Sequence, residues 1–444
     1  MKTVVAAATP WGHSALAVVR LSGESVLAIL EGFSRTLRGG SLTPNRPRRA
    51  EFFDSAGVFD DGLIVYGEAP NTYTGEDTAE ITCHGNPQIV ERLLAAAVDC
   101  GAQLALPGDF TRRAVANGKM DLIRAEAVLQ VAKASTQRGL EIGRQGLDGR
   151  LSGTIQELRD PMIHIAAECE ARLDYPADEL AVETDGQLMD QLSSLANRCR
   201  QLASTWRAGQ RWIHGARVAL VGPVNAGKSS LFNTLVGKNR ALVHDSPGTT
   251  RDVLEVAIKV DEVAVTLLDT AGERQTADPV EAAGLALAKE LVEESDCVIV
   301  VLRARPGGLS EVEHQILERT GNRSRVVVYN GVDREGVATP PDGSISTVAI
   351  TGEGIAALRN ALKLALVGED LGDGGAVIAS VRQRDQLLRI ADCLDQAIEA
   401  FPVAGVAVSA ELLTEAIGEV DSLTGADTRE SILDEMFSRF CIGK

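Results

Sequence analysis

From Thr3 to about Ala116 the chain alternates short apolar runs, such as LAVVRLSG and GLIVYGE, with turn residues. One helical stretch, PQIVERLLAAAVDCGA, interrupts them, and the mixture predicts an α+β domain. The period then changes. Leu147, Leu151, Ile155, Leu158, Met162, Ile165 and Cys169 keep steps of three and four, as do Leu188, Leu192, Leu195, Cys199, Leu202 and Trp206, which predicts long amphipathic helices. Between about Gly215 and Ala365, apolar strands (RVALVG, CVIVVL, RVVVYN) alternate with helices (GKSSLFNTLVG, EVEHQILERTG). Such alternation predicts a mostly parallel sheet covered on both faces. VGEDLGDGGAVIAS reads as a Gly-rich linker, after which helical periodicity resumes in QLLRIADCLDQAIEAF and AELLTEAIGEV. The expected segments are 1–117, an α+β domain; 118–213, the first part of a helical domain; 214–370, an inserted α/β domain; and 371–444, the second helical part.

Composition narrows the functional classes. The 444 residues exceed what one core usually serves. A formal net charge of -18 disfavours a wrapping grip on a phosphate backbone or an anionic membrane, which needs dense Lys and Arg. The seven cysteines are scattered, with no C-x-x-C pair, so a reduced intracellular protein is the simplest reading. The opening MKTVVAAATPWGH is too short an apolar run for a secretory leader, and no membrane-length apolar stretch follows. A soluble, cytoplasmic protein without stable membrane insertion is expected.

The chemistry concentrates in the α/β segment. GPVNAGKSS contains G-x-x-x-x-G-K-S, Gly222 to Ser229, directly after a strand and before a helix. In a P-loop the glycines let backbone N–H groups turn inward around phosphates, Lys228 reaches the outer phosphates and the Ser229 hydroxyl ligates magnesium. The plain alternative is a Gly-rich turn capping a helix. Forty-one residues beyond Lys228, LLDTAG ends a strand at Asp269, where a triphosphatase keeps a magnesium-side carboxylate and a γ-phosphate sensor. Between them, Thr249 or Thr250 of PGTTRD is placed to close over magnesium.

VVVYNGVD supplies the base. Guanine sites use N-K-x-D, whose Asp accepts from N1–H and the 2-amino group and is left unpaired by adenine. Asn330 and Asp333 stand on the expected later strand, but Gly331 replaces the Lys whose stem lies along the base face. In STVAITGEG, Ala349 keeps the Ala of the guanine-binding S-A-x and Val348 replaces its Ser. The reading is a guanine site with weaker base contacts, in which Asn330 and Asp333 choose the base and Gly331→Lys is expected to tighten binding. The expected nucleotide set is Asn225, Ala226, Gly227, Lys228, Ser229 and Ser230; His244, Asp245, Ser246, Pro247, Gly248, Thr249 and Thr250; Asp269, Thr270, Ala271 and Gly272; and Asn330, Asp333 and Ala349. Magnesium is assigned to Ser229 and Thr250.

ATPWG, VVRLSG, YTGEDTAEITCHGN, PGDFTRRAVANGKMDLIRAEAV, LDYPADEL, NAGKSSLFN, PGTTRDVL, DTAGER and the terminal FCIGK occur in that order. In this series the chain resembles the MnmE (TrmE) tRNA-modification GTPase family over essentially its full length. The resemblance implies an N-terminal folate-binding and dimerising domain, a discontinuous helical domain and an inserted Ras-like G domain. It further implies a homodimer that hydrolyses GTP while an aminomethyl or carboxymethylaminomethyl group is added to C5 of the wobble uridine of tRNA, with a reduced folate of the 5,10-methylenetetrahydrofolate type as one-carbon donor. The implied partner is an MnmG-type protein carrying FAD, joined in a heterotetramer and supplying most of the tRNA surface.

By the same resemblance, hydrolysis is potassium-assisted, the cation standing where other GTPases bring an arginine finger worth about 10³–10⁵ in rate. The matching potassium ligands are Asn225, His244, Ser246 and Thr249, the last three through the backbone of their loop. The site is completed when two G domains meet. Glu281 matches the glutamate that places the attacking water, so the catalytic set is Glu281, Asn225 and Lys228. The folate pattern lands on Arg20, Glu80, Lys119 and Lys444. Glu80 is suited to accept from pterin N–H groups and the cations to meet the ligand's carboxylates. Lys444 would explain why the sequence ends on FCIGK. Cys441 is a candidate nucleophile, though a small buried Cys is the plainer reading. The alternatives are a ribosome-assembly GTPase switch that binds ribosomal RNA, and a folate-binding scaffold whose G domain no longer turns over.

Overall fold

The computed structural model describes residues 2–37, 39, 41–174, 184–237, 254–269, 292–368, 375–426 and 430–443. These form two compact units, one of residues 1–129 with 417–444 and one of residues 130–416.

The first unit is built on a seven-stranded sheet in the order β3-β4-β5-β6-β2-β1-β7. Its strands are β1 (Val4–Ala7), β2 (Leu16–Ser22), β3 (Ser34–Thr36), β4 (Arg48–Asp54), β5 (Gly57–Gly67), β6 (Thr78–His84) and β7 (Gln103–Leu104). Pairing is antiparallel except between β1 and β7. The alternation in LAVVRLS buries Ala17, Val19 and Leu21, and that in TAEITCH buries Ala79, Ile81 and Cys83. Successive side chains point to opposite faces, so Arg20 and Glu80, paired in register, share the face away from this core. The helix Pro87–Asp99 starts where Asn86 accepts from the Gln88 N–H ahead of Pro87, and it buries Val90, Leu93, Ala96 and Ala97. Two further helices, Val26–Phe33 and Asp109–Ala116, go beyond the one stretch visible in the sequence. At eight residues each they are too short to display a helical period clearly, and packing stabilises them. The helix Glu430–Ser438 contributes Phe437, which with Phe440 packs on Leu122 and Ala125.

The second unit holds a six-stranded sheet in the order β13-β12-β11-β8-β10-β9. The strands are β8 (Ala216–Val221), β9 (Leu254–Val260), β10 (Val263–Asp269), β11 (Cys297–Arg303), β12 (Arg325–Asn330) and β13 (Ile345–Thr347). Among the described strands the β9–β10 hairpin is antiparallel and the other pairings are parallel. The sheet grows outward in both directions from β8, and the carboxyl end of such a switch point is where α/β sheets receive ligands. The helices Lys228–Val236, Glu311–Arg319 and Ile355–Val367 accompany it.

The long helices are divided more often than their periodicity suggests. Leu147 closes the helix Gln137–Leu147, and Gly149 at φ 87 turns the chain into Arg150–Asp174. Trp206 likewise opens Trp206–His214 after Asp185–Ser204 has ended. Asp185–Ser204 packs against Val381–Ala404, with Arg200 paired to Asp395. Ile142, Trp212, Ile213 and Ala379 from flanking segments belong to the same apolar core as the six-stranded sheet. Among the described residues no helix is long and apolar enough to cross a membrane.

Candidate functional site

Five chain segments converge on the carboxyl edge of the second sheet. The P-loop leaves β8, Asp269 ends β10 beside Leu220, Arg303 of β11 lies beside Asn330 of β12, and Asn330 lies beside Thr347 of β13. Lys228 begins its helix, and its Nζ donates to the carbonyls of Gly222 at 2.8 Å and Pro223 at 3.1 Å. Burial pushes the Lys228 pKa down, against the upward pull of the Asp269 carboxylate. Asp269 is itself buried. The loop carbonyls thus fix the direction of the ammonium. Ser229 and Ser230 are exposed in the helix's first turn, and the N–H groups of such a turn attract anions.

Asn330 ties this edge together. Its Nδ2 donates to the Ala226 carbonyl at 3.0 Å, and its Oδ1 accepts from the Ala349 N–H at 3.0 Å and the Thr347 hydroxyl at 3.2 Å. Gly227, at φ 95, makes room: a Cβ there would stand 2.1 Å from Asn330 Nδ2. Ala349 is buried and its carbonyl accepts from Thr234 Oγ1 at 2.6 Å. Of the three residues read from the sequence as base contacts, Asn330 and Ala349 therefore spend these polar groups on the scaffold. Asp333 differs, since it is exposed and its carboxylate has no partner among the described residues. Asn225 is likewise exposed with an unpartnered amide, at φ 61, a backbone conformation uncommon outside glycine.

Gly331 is in the left-handed region at φ 86, and a Cβ there would lie 3.3 Å from Arg334 Nε. The volume assigned to a missing Lys stem is thus partly filled, and an L-residue would strain the backbone, so the expected gain from Gly331→Lys does not survive. No sequence pattern marks Arg334 or Thr347, because their proximity to residues 331 and 330 arises from the turn and from strand pairing.

The first unit carries a separate cleft of about 360 Å³, lined in part by Arg20, Glu80, Asn45, Asn71, Tyr73 and Thr74. Arg20 donates from Nη2 and Nε to Glu80 Oε1 at 2.6 and 3.0 Å, and from Nη1 to the Gly443 carbonyl at 3.0 Å. Glu80 Oε2 has no partner among the described residues. Lys119 is not part of the lining; its Nζ donates to the Pro70 carbonyl at 2.9 Å, next to Asn71. Ser22, hydrogen-bonded to the lining residue Thr74, donates to a Glu76 oxygen that also accepts from Arg113 at 2.7 Å, and Arg113 donates further to the Lys2 carbonyl at 2.8 Å. The lining groups Asn45, Tyr73 and Thr74 carry no sequence signal of their own. Cys441 is exposed, contrary to the plainer sequence reading, whereas burial pushes the thiols of Cys83 and Cys199 up to about 11 and about 12.

His244, Asp245, Ser246, Pro247, Gly248, Thr249, Thr250, Thr270, Ala271, Gly272, Glu281 and Lys444 lie outside the described residues.

The model of the GTP-binding protein TrmE N-terminus matches residues 3–119, and that of the MnmE helical domain matches residues 122–441. Among curated proteins, the chain is 36% identical to a tRNA modification GTPase MnmE of Aquifex aeolicus, covering 99% of this chain and 99% of that one. It is 39% identical to the protein of the same name from Myxococcus xanthus, covering 100% and 99%. Solved structures give slighter likenesses. Aquifex aeolicus Era matches at 21% identity and TM-score 0.28, over 40% of this chain and 66% of that one. The G domain of the T. maritima FeoB iron transporter matches at 21% and 0.27, over 34% and 98%. With identity of this order to MnmE proteins sustained along nearly the whole sequence, the chain belongs to the MnmE family of tRNA modification GTPases and is a GTP hydrolase acting in tRNA modification.

Proposed function

We propose that this GTPase works as a cytoplasmic homodimer, with an MnmG-type FAD protein as partner in a heterotetramer, to modify C5 of the wobble uridine of tRNA. Lys228 and the first-turn N–H groups of its helix hold the phosphates, and Asp333 reads the guanine edge. Ser229 is a hydroxyl ligand for magnesium, with Thr250 from the switch loop. Magnesium usually takes few protein ligands and completes its shell with phosphate and water. The amide of Asn225, without a partner among the described residues, suits a monovalent cation such as potassium, with His244, Ser246 and Thr249 as further ligands. A cation held there would supply positive charge to stabilise charge that grows in the transition state. Glu281 places the attacking water.

The Arg20–Glu80 cleft carries the second half of the proposal. Its volume of about 360 Å³ falls in the range of small-molecule sites, and its donor set suits a reduced folate. Glu80 Oε2 remains to accept from the pterin ring's N–H donors, and Arg20, Lys119 and Lys444 supply positive charge for the glutamate carboxylates. A bound reduced folate supplies the one-carbon unit. The excess of acidic residues agrees with tRNA being gripped chiefly by the partner.

GTP turnover in potassium against sodium, beside calorimetric binding of a reduced folate to the native chain and to Arg20→Met, tests both halves. Potassium stimulation and loss of folate binding in Arg20→Met are expected. Equal rates in the two salts would defeat the cation-assisted reading, and undiminished folate binding the cleft assignment.

A further inference from the structure

The turn after β12 is closed by the Arg334 N–H, which reaches the Gly331 carbonyl at 3.4 Å, and is anchored by the Gly331 N–H on the Thr347 carbonyl at 2.7 Å. This folds Arg334 back over Gly331. From the position a Cβ of residue 331 would take, Arg334 Nε is 3.3 Å away, Cζ 3.5 Å and Nη2 3.7 Å. The guanidinium therefore lies where a longer side chain at 331 would begin. Arg334 is exposed, and its guanidinium has no hydrogen-bond or ion-pair partner among the described residues. Many other arginines of the chain are paired to carboxylates, Arg20, Arg35, Arg49 and Arg113 among them. Its neighbour Asp333 has no side-chain partner among the described residues either.

We propose that Arg334 is the base-packing residue of the nucleotide site, laying its guanidinium plane along the face of the guanine whose edge Asp333 reads. The inference rests on the guanine reading of Asp333 and deepens it. A guanidinium is planar, weakly hydrated and stacks readily on aromatic faces, so it serves this contact at least as well as an alkyl stem. Gly331 is then more than a gap in the motif. With no Cβ it leaves the guanidinium its place, and it accepts a φ of 86 that a Lys would adopt only under strain.

Stacking and edge recognition separate experimentally, because inosine diphosphate keeps the purine face of GDP and lacks its 2-amino group. Binding of GDP, inosine diphosphate and inorganic triphosphate would be measured by calorimetry on the native chain, Arg334→Ala, Arg334→Lys and Asp333→Asn. Arg334→Ala is expected to weaken both nucleosides by the same factor, roughly threefold to thirtyfold, to leave triphosphate unchanged, and to be only partly rescued by Lys. Asp333→Asn is expected to abolish the preference for GDP over inosine diphosphate. Unchanged nucleoside binding in Arg334→Ala would overturn the stacking role, as would an equal loss for triphosphate, which would place the charge at the phosphates. A preserved GDP preference in Asp333→Asn would overturn the guanine reading itself.

Discussion

Asn330 donates to the backbone carbonyl of Ala226 at 3.0 Å, so a side chain at the end of β12 fixes the P-loop that follows β8. The same side chain accepts the Ala349 N–H. Asn330→Ala would leave the buried Ala226 and Ala349 groups without these partners. It should lower stability by about 1–3 kcal/mol in denaturant unfolding and weaken all nucleotides together, whatever their base. A selective loss of guanine nucleotides would instead make Asn330 a direct base contact.

Gly331→Lys, by contrast, is expected to cost rather than gain. The φ of 86 penalises an L-residue by about 1–2 kcal/mol, and the new Cβ meets Arg334. Denaturant unfolding should show the loss of stability, and GDP titration should show no increase in affinity. Tighter binding would mean that the turn reorganises.

Glu76 balances Arg113, an arginine that is nearly enclosed, with the two side chains 13% and 8% exposed. Glu76→Ala strands the Arg113 guanidinium and should destabilise the first unit by about 3–5 kcal/mol. Glu76→Gln, which keeps an acceptor for Ser22 and Arg113, should cost less. Equal losses would assign the effect to packing.

His84 Nδ1 lies 2.6 Å from Asp60, whose side chain is only 6% exposed. The hydrogen bond to Asp60, helped by its charge, raises the His84 pKa above 6.5. A raised folded-state pKa means stability that is fully present below pH 6.5 and lost as pH climbs through the folded value. Urea midpoints recorded across that range should therefore fall with rising pH, and the fall should shrink in His84→Gln. An identical profile in the variant would remove His84 as the source.

The phosphate half of the site was legible because a P-loop is contiguous: Gly222, Gly227, Lys228 and Ser229 carry their spacing in the chain. Strand periodicity likewise foretold β8, β11 and β12. The base half was only partly legible. Spacing alone singles out Asp333 as a candidate, but the task of Asn330 depends on Ala226 and Ala349, residues that the order of strands brings near it. Arg334 escaped for a different reason: one left-handed glycine folds it back, and sequence patterns record residue types rather than φ. The short helices Val26–Phe33 and Asp109–Ala116 exist through packing, which no window of eight residues reveals.

The shared core of the second unit sets a limit on how the protein can be dissected. Trp212, Ile213, Ile142 and Ala379 flank the segment from β8 to the helix Ile355–Val367, yet they are buried in its apolar core. A fragment cut cleanly at Ala216 and Val367 would leave that surface bare to water, with a tendency to aggregate. Biochemistry on the isolated nucleotide unit should therefore keep Gln137–His214 and the residues around Ala379 attached, or mask the bared surface with polar substitutions.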